Sequence, residues 1–203
     1  MKSVLDRIVK RIQNKGHGFA FTAKDFLDLG SRGSVDVALS SLAKSGKIRR
    51  VCRGVYDYPK YSEFLGKVLA PDFDQVAHAI ARNTGATIQP SGALAANLLG
   101  LSEQVPAKIL YLTDGLSRTV RFGTQTITFK RTRPKELLPN KMSALVVQAL
   151  LFLGKGSVND KIIRKIREAL PPGDRKRLLK DAKYVSDWVA DVVRRIAGEN
   201  PNG

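Results

Sequence analysis

The sequence predicts an α+β protein in which an N-terminal winged helix-turn-helix precedes a small mixed α/β domain with C-terminal helices. Three observations lead to this fold class. Apolar residues recur at helical spacing three times within the first 45 residues. Two short apolar runs on either side of Arg53-Gly54 then indicate a β-hairpin. After Pro139 the helical period returns and continues to Ala197, with interruptions at "GKG" and "PPG".

The first helix is predicted over about residues 3–13, because Leu5, Ile8, Val9 and Ile12 form a single apolar stripe. The glycines of "NKGHG" end this helix, and "FAF" is a candidate short strand. Thr22, with Asp25 at the capping-box position, should begin a second, short helix. That helix is expected to bury three apolar side chains, Phe26, Leu27 and Leu29.

The third helix is expected to begin at Ser34 as its N-cap and to end at Gly46. Its buried stripe would consist of Val35, Ala38, Leu39 and Leu42. The strands of the hairpin would contain Ile48 and Val51 on one side of the turn, and Val55 and Tyr56 on the other. A succession of three helices and a hairpin, with one short strand after the first helix, is the order of a winged helix-turn-helix.

The domain boundary is predicted near residue 70. Residues 1–65 form the winged helix-turn-helix and residues 70–203 the α+β domain, because "PKYSEFLGKVLAPD" resembles a linker and a new helical pattern begins at Phe73. In the second domain, Ser91 should cap a helix, and strands are predicted at "ATIQ", "KILYLT", "LSRTVRFG" and "TQTITFKR". We therefore expect residues 1–70 to fold without the rest of the chain.

The strong positive charge points to a polyanionic partner. The net charge is +17, of which residues 1–60 carry +8 and residues 133–203 carry +7, whereas residues 61–132 carry +2. A basic excess of this size favours nucleic acid. No stretch reaches the ~20 apolar residues that span a bilayer, so no membrane association is expected. The single cysteine, Cys52, fits the reducing cytoplasm.

The exposed face of the third helix is the candidate surface for reading DNA bases. If the apolar stripe is buried, the opposite face presents small polar residues, and these can approach base edges closely. Arg32, in the preceding turn, would contact guanine or phosphate. The candidate DNA-binding residues of this helix and turn are Arg32, Ser34, Val37, Ser40, Ser41 and Lys44.

Four cations on the hairpin extend this surface. Lys47, Arg49, Arg50 and Arg53 lie within seven residues, at the place where a wing reaches phosphates or the minor groove. Elsewhere, Gln89, Ser91 and Asn97 form either a recognition surface or, more simply, a helix that packs on a sheet. We predict no catalytic residue and no cofactor, since no nucleophile, base and orienting acid stand at a recognisable spacing. No metal ligand is predicted either, since Cys52, His17 and His78 are too few for a zinc site; a metal held by carboxylates stays open.

Three segments together are similar to the AbiEi family of antitoxins. These segments are "DFLDLGSRGSVDVALSSLAKSGKIRRVCRGVYDYP", "TGATIQPSGALAANLLGLSEQVPAKILYLTDG" and "ITFKRTRP", and the resemblance covers roughly residues 1–140. It implies a component of a bacterial toxin–antitoxin system. Such a protein represses its own operon through an N-terminal winged helix, and its C-terminal domain counteracts a nucleotidyltransferase-like toxin.

The sequence is therefore interpreted as a DNA-binding antitoxin and transcriptional autorepressor rather than an enzyme. Its expected partners are double-stranded operator DNA and the cognate nucleotidyltransferase-like toxin. Two other classes stay open: a nucleic-acid-processing enzyme and an RNA-binding adaptor, each with a winged helix as its targeting domain. The first would require a divalent metal for cleavage, and the second would prefer RNA to duplex DNA.

Overall fold

The computed structural model describes residues 3–103 and 108–198, and it has a mixed α+β fold. The α-helices are α1 (Val4–Lys15), α2 (Arg32–Lys44), α3 (Phe73–Thr84), α4 (Ala93–Leu98), α5 (Lys141–Leu153), α6 (Asp160–Ala169), α7 (Pro172–Asp181) and α8 (Asp187–Ala197). The strands are β1 (Ala20–Thr22), β2 (Arg49–Cys52), β3 (Val55–Asp57), β4 (Tyr61–Ser62), β5 (Lys67–Val68), β6 (Ile88–Pro90), β7 (Ile109–Thr113), β8 (Arg118–Phe122) and β9 (Gln125–Arg131).

The chain forms two compact units. The first contains residues 1–86 with 120–127, and the second contains residues 87–119 with 128–203. We expected the division near residue 70, but the first unit extends through α3. The physical reason is the small three-stranded sheet of this unit. α1 and α2 pack on one face of this sheet, and α3 packs on the other.

The three-stranded sheet of the first unit has the order β1-β3-β2, and β1 is buried on both faces. Phe21 and Tyr56 are paired across β1 and β3 and pack with the apolar stripes of α1 and α2. Side chains alternate along a strand, so the adjacent residues Ala20 and Val55 face the other way. These two are also buried, and α3 packs against β1 and β3. Arg82 of α3 adds a 2.8 Å hydrogen bond from Nη2 to the carbonyl oxygen of Ala20.

The local signals at the start of the chain are largely confirmed. The capping box of Thr22 and Asp25 is present, and the Thr22 amide donates to Asp25 Oδ2 at 2.8 Å. The short helix that follows is a single 3-10 turn, Ala23–Phe26. It ends too early to bury Leu27, which is 43% exposed, so our prediction of a buried Leu27 was wrong.

The third predicted helix, α2, begins earlier than expected. Its N-cap is Ser31, whose Oγ accepts a hydrogen bond from the amide of Ser34 at 3.3 Å. Ser34 therefore lies inside the first turn, and Arg32 is the first helical residue rather than part of the preceding turn. Both Ser31 and Ser34 are residue types that suit an N-cap. Ser31 is the N-cap because its side chain accepts a hydrogen bond from the backbone amide three residues further along the helix.

The second unit combines strands with a helical core. Its strands β6 and β7 pair antiparallel, with Ile88 opposite Thr113. The four C-terminal helices share one apolar core, which includes Leu150, Ile166, Leu178, Val193 and Ile196. The short helix α4 has Gly92 as its N-cap instead of Ser91 and packs closely on α5 through Ala95, Ala96 and Ala149.

The "PSGALAANLLGLS" segment is used for packing. Gln89 is 2% exposed and donates from Nε2 to the carbonyl oxygen of Leu138, whose amide returns a bond to Gln89 Oε1 at 3.3 Å. Ser91 donates to Gln148 Oε1 at 3.1 Å, and Asn97 donates to the Ser102 carbonyl at 3.2 Å. These three side chains follow the packing interpretation rather than that of a recognition surface.

Candidate nucleic-acid interface

Two arginines of α1 hold the loop that leads into α2. Arg11 makes two hydrogen bonds to the Asp28 carboxylate, at 2.7 and 2.6 Å, and a third to the carbonyl oxygen of Asp25 at 3.0 Å. The hydrogen bonds from Arg11 hold the pKa of Asp28 below its usual range, and the same pair raises the pKa of Arg11. Arg7 donates to the carbonyl oxygen of Leu29. The loop that positions the N-terminus of α2 is thus tied to α1 at three points.

The amphipathic pattern of α2 leaves one face open to solvent. Val35, Ala38, Leu39 and Leu42 are buried against α1 and the sheet, as the sequence predicted. All six residues proposed for DNA contact on this helix are exposed: Arg32, Ser34, Val37, Ser40, Ser41 and Lys44. Val37 is 71% exposed, although a β-branched apolar residue is unusual on a solvated helix face. A methyl-bearing, small-residue face is suited to contact with base edges and thymine methyl groups.

The first turn of α2 contains an ion pair and an exposed glycine. Arg32 forms an ion pair with Asp36 on the next turn, with Nε and Oδ2 2.8 Å apart, and its side chain is still 63% exposed. Gly33 follows it, and a Cβ added there would meet no heavy atom within 4 Å. Packing within the described residues therefore does not require a glycine at position 33.

The β2–β3 hairpin provides a second exposed cationic element. Its two-residue turn is Arg53-Gly54, as predicted, and Gly54 has a φ of 74°, which glycine tolerates best. The pairing shifts at Val51, where two residues of β2 stand against one of β3. Lys47, Arg50 and Arg53 are exposed, so with Arg32 and Lys44 five cations decorate this helix and hairpin.

Arg49, the fourth predicted hairpin cation, is used differently. Its Nε donates to Asp57 Oδ1 at 3.0 Å, its Nη2 also binds that carboxylate, and its Nη1 donates to the carbonyl oxygen of Leu69 at 2.8 Å. Asp57 is 1% exposed and needs this neutralising partner. We therefore assign Arg49 to the fold and reduce the candidate hairpin contacts to Lys47, Arg50 and Arg53.

A further cationic feature lies in the second unit, where the nearly balanced region of residues 61–132 meets the basic region that follows it. Residues at the end of β9 and the start of the next 3-10 turn line an open cleft of about 890 Å³. Its lining includes Lys130, Arg131 and Arg133, all exposed, together with Glu136. Averaging the charge over a long window conceals such a local cluster.

The described residues contain no group of three or more His, Cys, Asp or Glu side chains arranged to hold a metal ion. Across the same residues, no helix has both the length and the apolar character needed to cross a bilayer.

The protein is thus a mixed α+β protein whose first unit presents an exposed small-residue helix face, followed along the chain by a cationic hairpin. The chain belongs to a family of unknown function, DUF6088, whose model matches residues 7–178. A comparison with curated proteins gives no significant match. Among solved structures, the chain is similar to the crystal structure of the RV2827C protein from Mycobacterium tuberculosis, with a TM-score of 0.42 and 16% identity over 98% of this chain and 82% of that one.

Proposed function

We propose that the first unit is a winged helix-turn-helix that binds duplex DNA, and that the chain is the antitoxin and autorepressor of a toxin–antitoxin operon in the bacterial cytoplasm. The observation that carries the DNA-binding part is the exposed face of α2 together with the exposed cations of the β2–β3 hairpin that follows it along the chain. The element order, helix, strand, short helix, helix and hairpin, supports the winged-helix assignment. The antitoxin part rests on the resemblance of residues 1–140 to AbiEi antitoxins.

In this proposal α2 enters the major groove and the Arg53-Gly54 turn follows the backbone or the minor groove. Ser34, Ser40 and Ser41 can exchange hydrogen bonds with base edges, and Val37 can contact a thymine methyl group. Lys47, Arg50 and Arg53 neutralise phosphates, and this contribution does not depend on sequence. Repression follows because an occupied operator is closed to transcription.

The test begins with a duplex selected from a random pool by the full-length protein. Its affinity is then compared with that for a scrambled duplex and for RNA of matched length. Preference for one duplex sequence is the expected result. Cleavage of the nucleic acid that depends on magnesium would favour the processing enzyme, and a preference for RNA would favour the adaptor.

The first prediction concerns the hairpin cations. Replacing Arg50 and Arg53 by alanine should weaken binding to all duplexes to a similar degree, and each lost phosphate contact should lower the log–log salt slope by about 1. The measurement is affinity as a function of salt concentration for wild type and variant. The control is the Lys10→Ala, Lys15→Ala variant, which removes two exposed cations from α1. Equal effects in both variants would show that only total charge matters and would reject docking of the hairpin.

The second prediction concerns sequence readout by α2. Substituting Ser40 or Arg32 by alanine should change which base is preferred at particular positions, with a cost of about 1–3 kcal/mol there. Repeating the selection with each variant measures this. Ser45 is the control, because its Oγ donates to the carbonyl oxygen of Leu42 at 3.0 Å and is occupied within the helix end. Uniform weakening with unchanged preferences would place Arg32 and Ser40 on the phosphate backbone instead.

A further inference from the structure

The segment between the two predicted domains is a β-hairpin rather than a linker. β4 and β5 are antiparallel, with Tyr61 opposite Val68 and Ser62 opposite Lys67. Ser62 Oγ accepts a hydrogen bond from the amide of Leu65 at 3.3 Å and closes the connecting turn. We call residues 61–68 the apolar hairpin. Each of its strands is only two residues long, so the pairing of β4 with β5 is too short to stabilise the hairpin by itself.

The base of the apolar hairpin is anchored to the core of the first unit. The amide of Leu69 donates to the carbonyl oxygen of Lys60 at 2.8 Å and extends the pairing by one step. The carbonyl oxygen of Leu69 accepts from Arg49 Nη1 at 2.8 Å, and Arg49 is held by the buried Asp57. An ion pair at the edge of the three-stranded sheet therefore fixes the place from which the hairpin projects.

The exposed surface of this hairpin is unusually apolar. Phe64, at the turn, is 96% exposed, and Tyr61, Leu65 and Val68 are 57%, 52% and 52% exposed. Tyr61 and Val68 are cross-strand partners, so their side chains lie on the same face. Single exposed apolar residues are ordinary, but four within eight residues of one anchored element are a local concentration of exposed apolar surface, which is typical of an interaction site.

We propose that the apolar hairpin is a docking element for another protein, one that presents an apolar pocket bordered by carboxylates. Phe64 and Leu65 would insert into the pocket, since large buried side chains at the centre of an interface supply most of its binding energy. Lys60 and Lys67 are exposed beside them, and Glu63 is the only acid between residues 58 and 70. The charge at the border of the patch is therefore positive and is complementary to an acidic rim.

Charge and topology distinguish this partner from other occupants. A second copy docked hairpin to hairpin would bring Lys60 and Lys67 of both copies together, in chains that each carry a net charge of +17. Duplex DNA is disfavoured because phosphates bind cationic and polar groups, whereas four exposed side chains of this hairpin are apolar and it leaves β3 at the end opposite to the Arg53-Gly54 turn. The proposal does not depend on the proposed DNA binding, and it allows a partner protein to bind while the β2–β3 hairpin is occupied.

The experiment is a selection of peptides from a random library displayed on phage, with the full-length protein as bait. Counter-selection uses the Phe64→Ser, Leu65→Ser variant, which should keep the wild-type melting temperature because both side chains are exposed. Peptides that combine large apolar residues with Asp or Glu should be enriched, and their affinity should fall about tenfold or more in the variant. Leu116→Ser is the matched control, because Leu116 is 79% exposed and lies in the second unit.

A second variant tests the charge complementarity. Lys60→Glu, Lys67→Glu keeps every apolar side chain and should lose the preference for acidic peptides. The proposal is overturned if no peptide is enriched, if enriched peptides lack acids, or if they bind the Phe64→Ser, Leu65→Ser variant as well as the wild type. It is also overturned if that variant dissociates a wild-type dimer in sedimentation, or if it weakens binding to duplex DNA of any sequence.

Discussion

A fragment of residues 1–70 is expected to lose cooperative unfolding, whereas a fragment of residues 1–86 should regain it. Only the longer fragment contains α3, and α3 covers the second face of the three-stranded sheet. It buries Val76, Ala77 and Ile80, and each buried aliphatic side chain of valine size or larger contributes about 1.5–3 kcal/mol. That sum is a large part of the 5–15 kcal/mol that stabilises a typical domain. Urea denaturation followed by circular dichroism measures the difference.

The same two fragments test how the proposed functions are divided along the chain. Residues 1–86 should shift the operator duplex, and residues 87–203 should retain any direct activity against the toxin but not bind the operator. Growth rescue during toxin expression measures the second property. Rescue by residues 1–86 alone would contradict this division of labour, and so would a cooperative transition in residues 1–70 as stable as that of the longer fragment.

Arg49→Met is expected to destabilise the protein by about 3 kcal/mol, because it leaves the buried Asp57 carboxylate without its partner. Asp57 is 1% exposed, and Arg49 supplies two hydrogen bonds to it and a third to the base of the apolar hairpin. The free energy of unfolding, taken from urea titrations of the full-length protein, measures this loss.

The matched control is Arg50→Met at the next position of the same strand. Arg50 is exposed, so its replacement should change the free energy of unfolding by no more than about 0.5 kcal/mol. In DNA binding the Arg50→Met variant should have the lower affinity of the two, once each affinity is corrected for the fraction of folded protein. Equal destabilisation by both substitutions would show that the carboxylate of Asp57 does not depend on Arg49.

Elements with a strong local signal could be predicted from the sequence. The apolar stripes of α1 and α2, the capping box at Thr22 and Asp25, and the Arg53-Gly54 turn all depend on residues within four positions of one another. Such patterns are decided by local sterics and hydrogen bonds, and the structure confirms them. The exposure of the α2 residues followed directly, because a helix that buries one stripe presents the opposite face.

The remaining differences come from competition or from long-range partners. Ser31 and Ser34 are both good N-caps, and the sequence offers no means of choosing between them. The role of Arg49 depends on a carboxylate eight residues away and on the carbonyl of Leu69, and neither contact has a pattern in the sequence. The pairing of α3 with β1 joins segments about fifty residues apart. The alternation that marks β4 and β5 is too short to be recognised in a segment with the composition of a linker.

The shift of pairing at Val51 determines where the first hairpin tolerates insertions and deletions. Arg49 stands opposite Asp57 and Cys52 opposite Val55, with one more residue between them on β2 than on β3. Deleting either intervening residue of β2 would give a regular ladder and leave Arg49 beside Asp57. β3 has no such reserve, because it also pairs residue for residue with β1, and a deletion there would shift it against both neighbours. Changes in chain length can therefore be absorbed in β2, but not in β3.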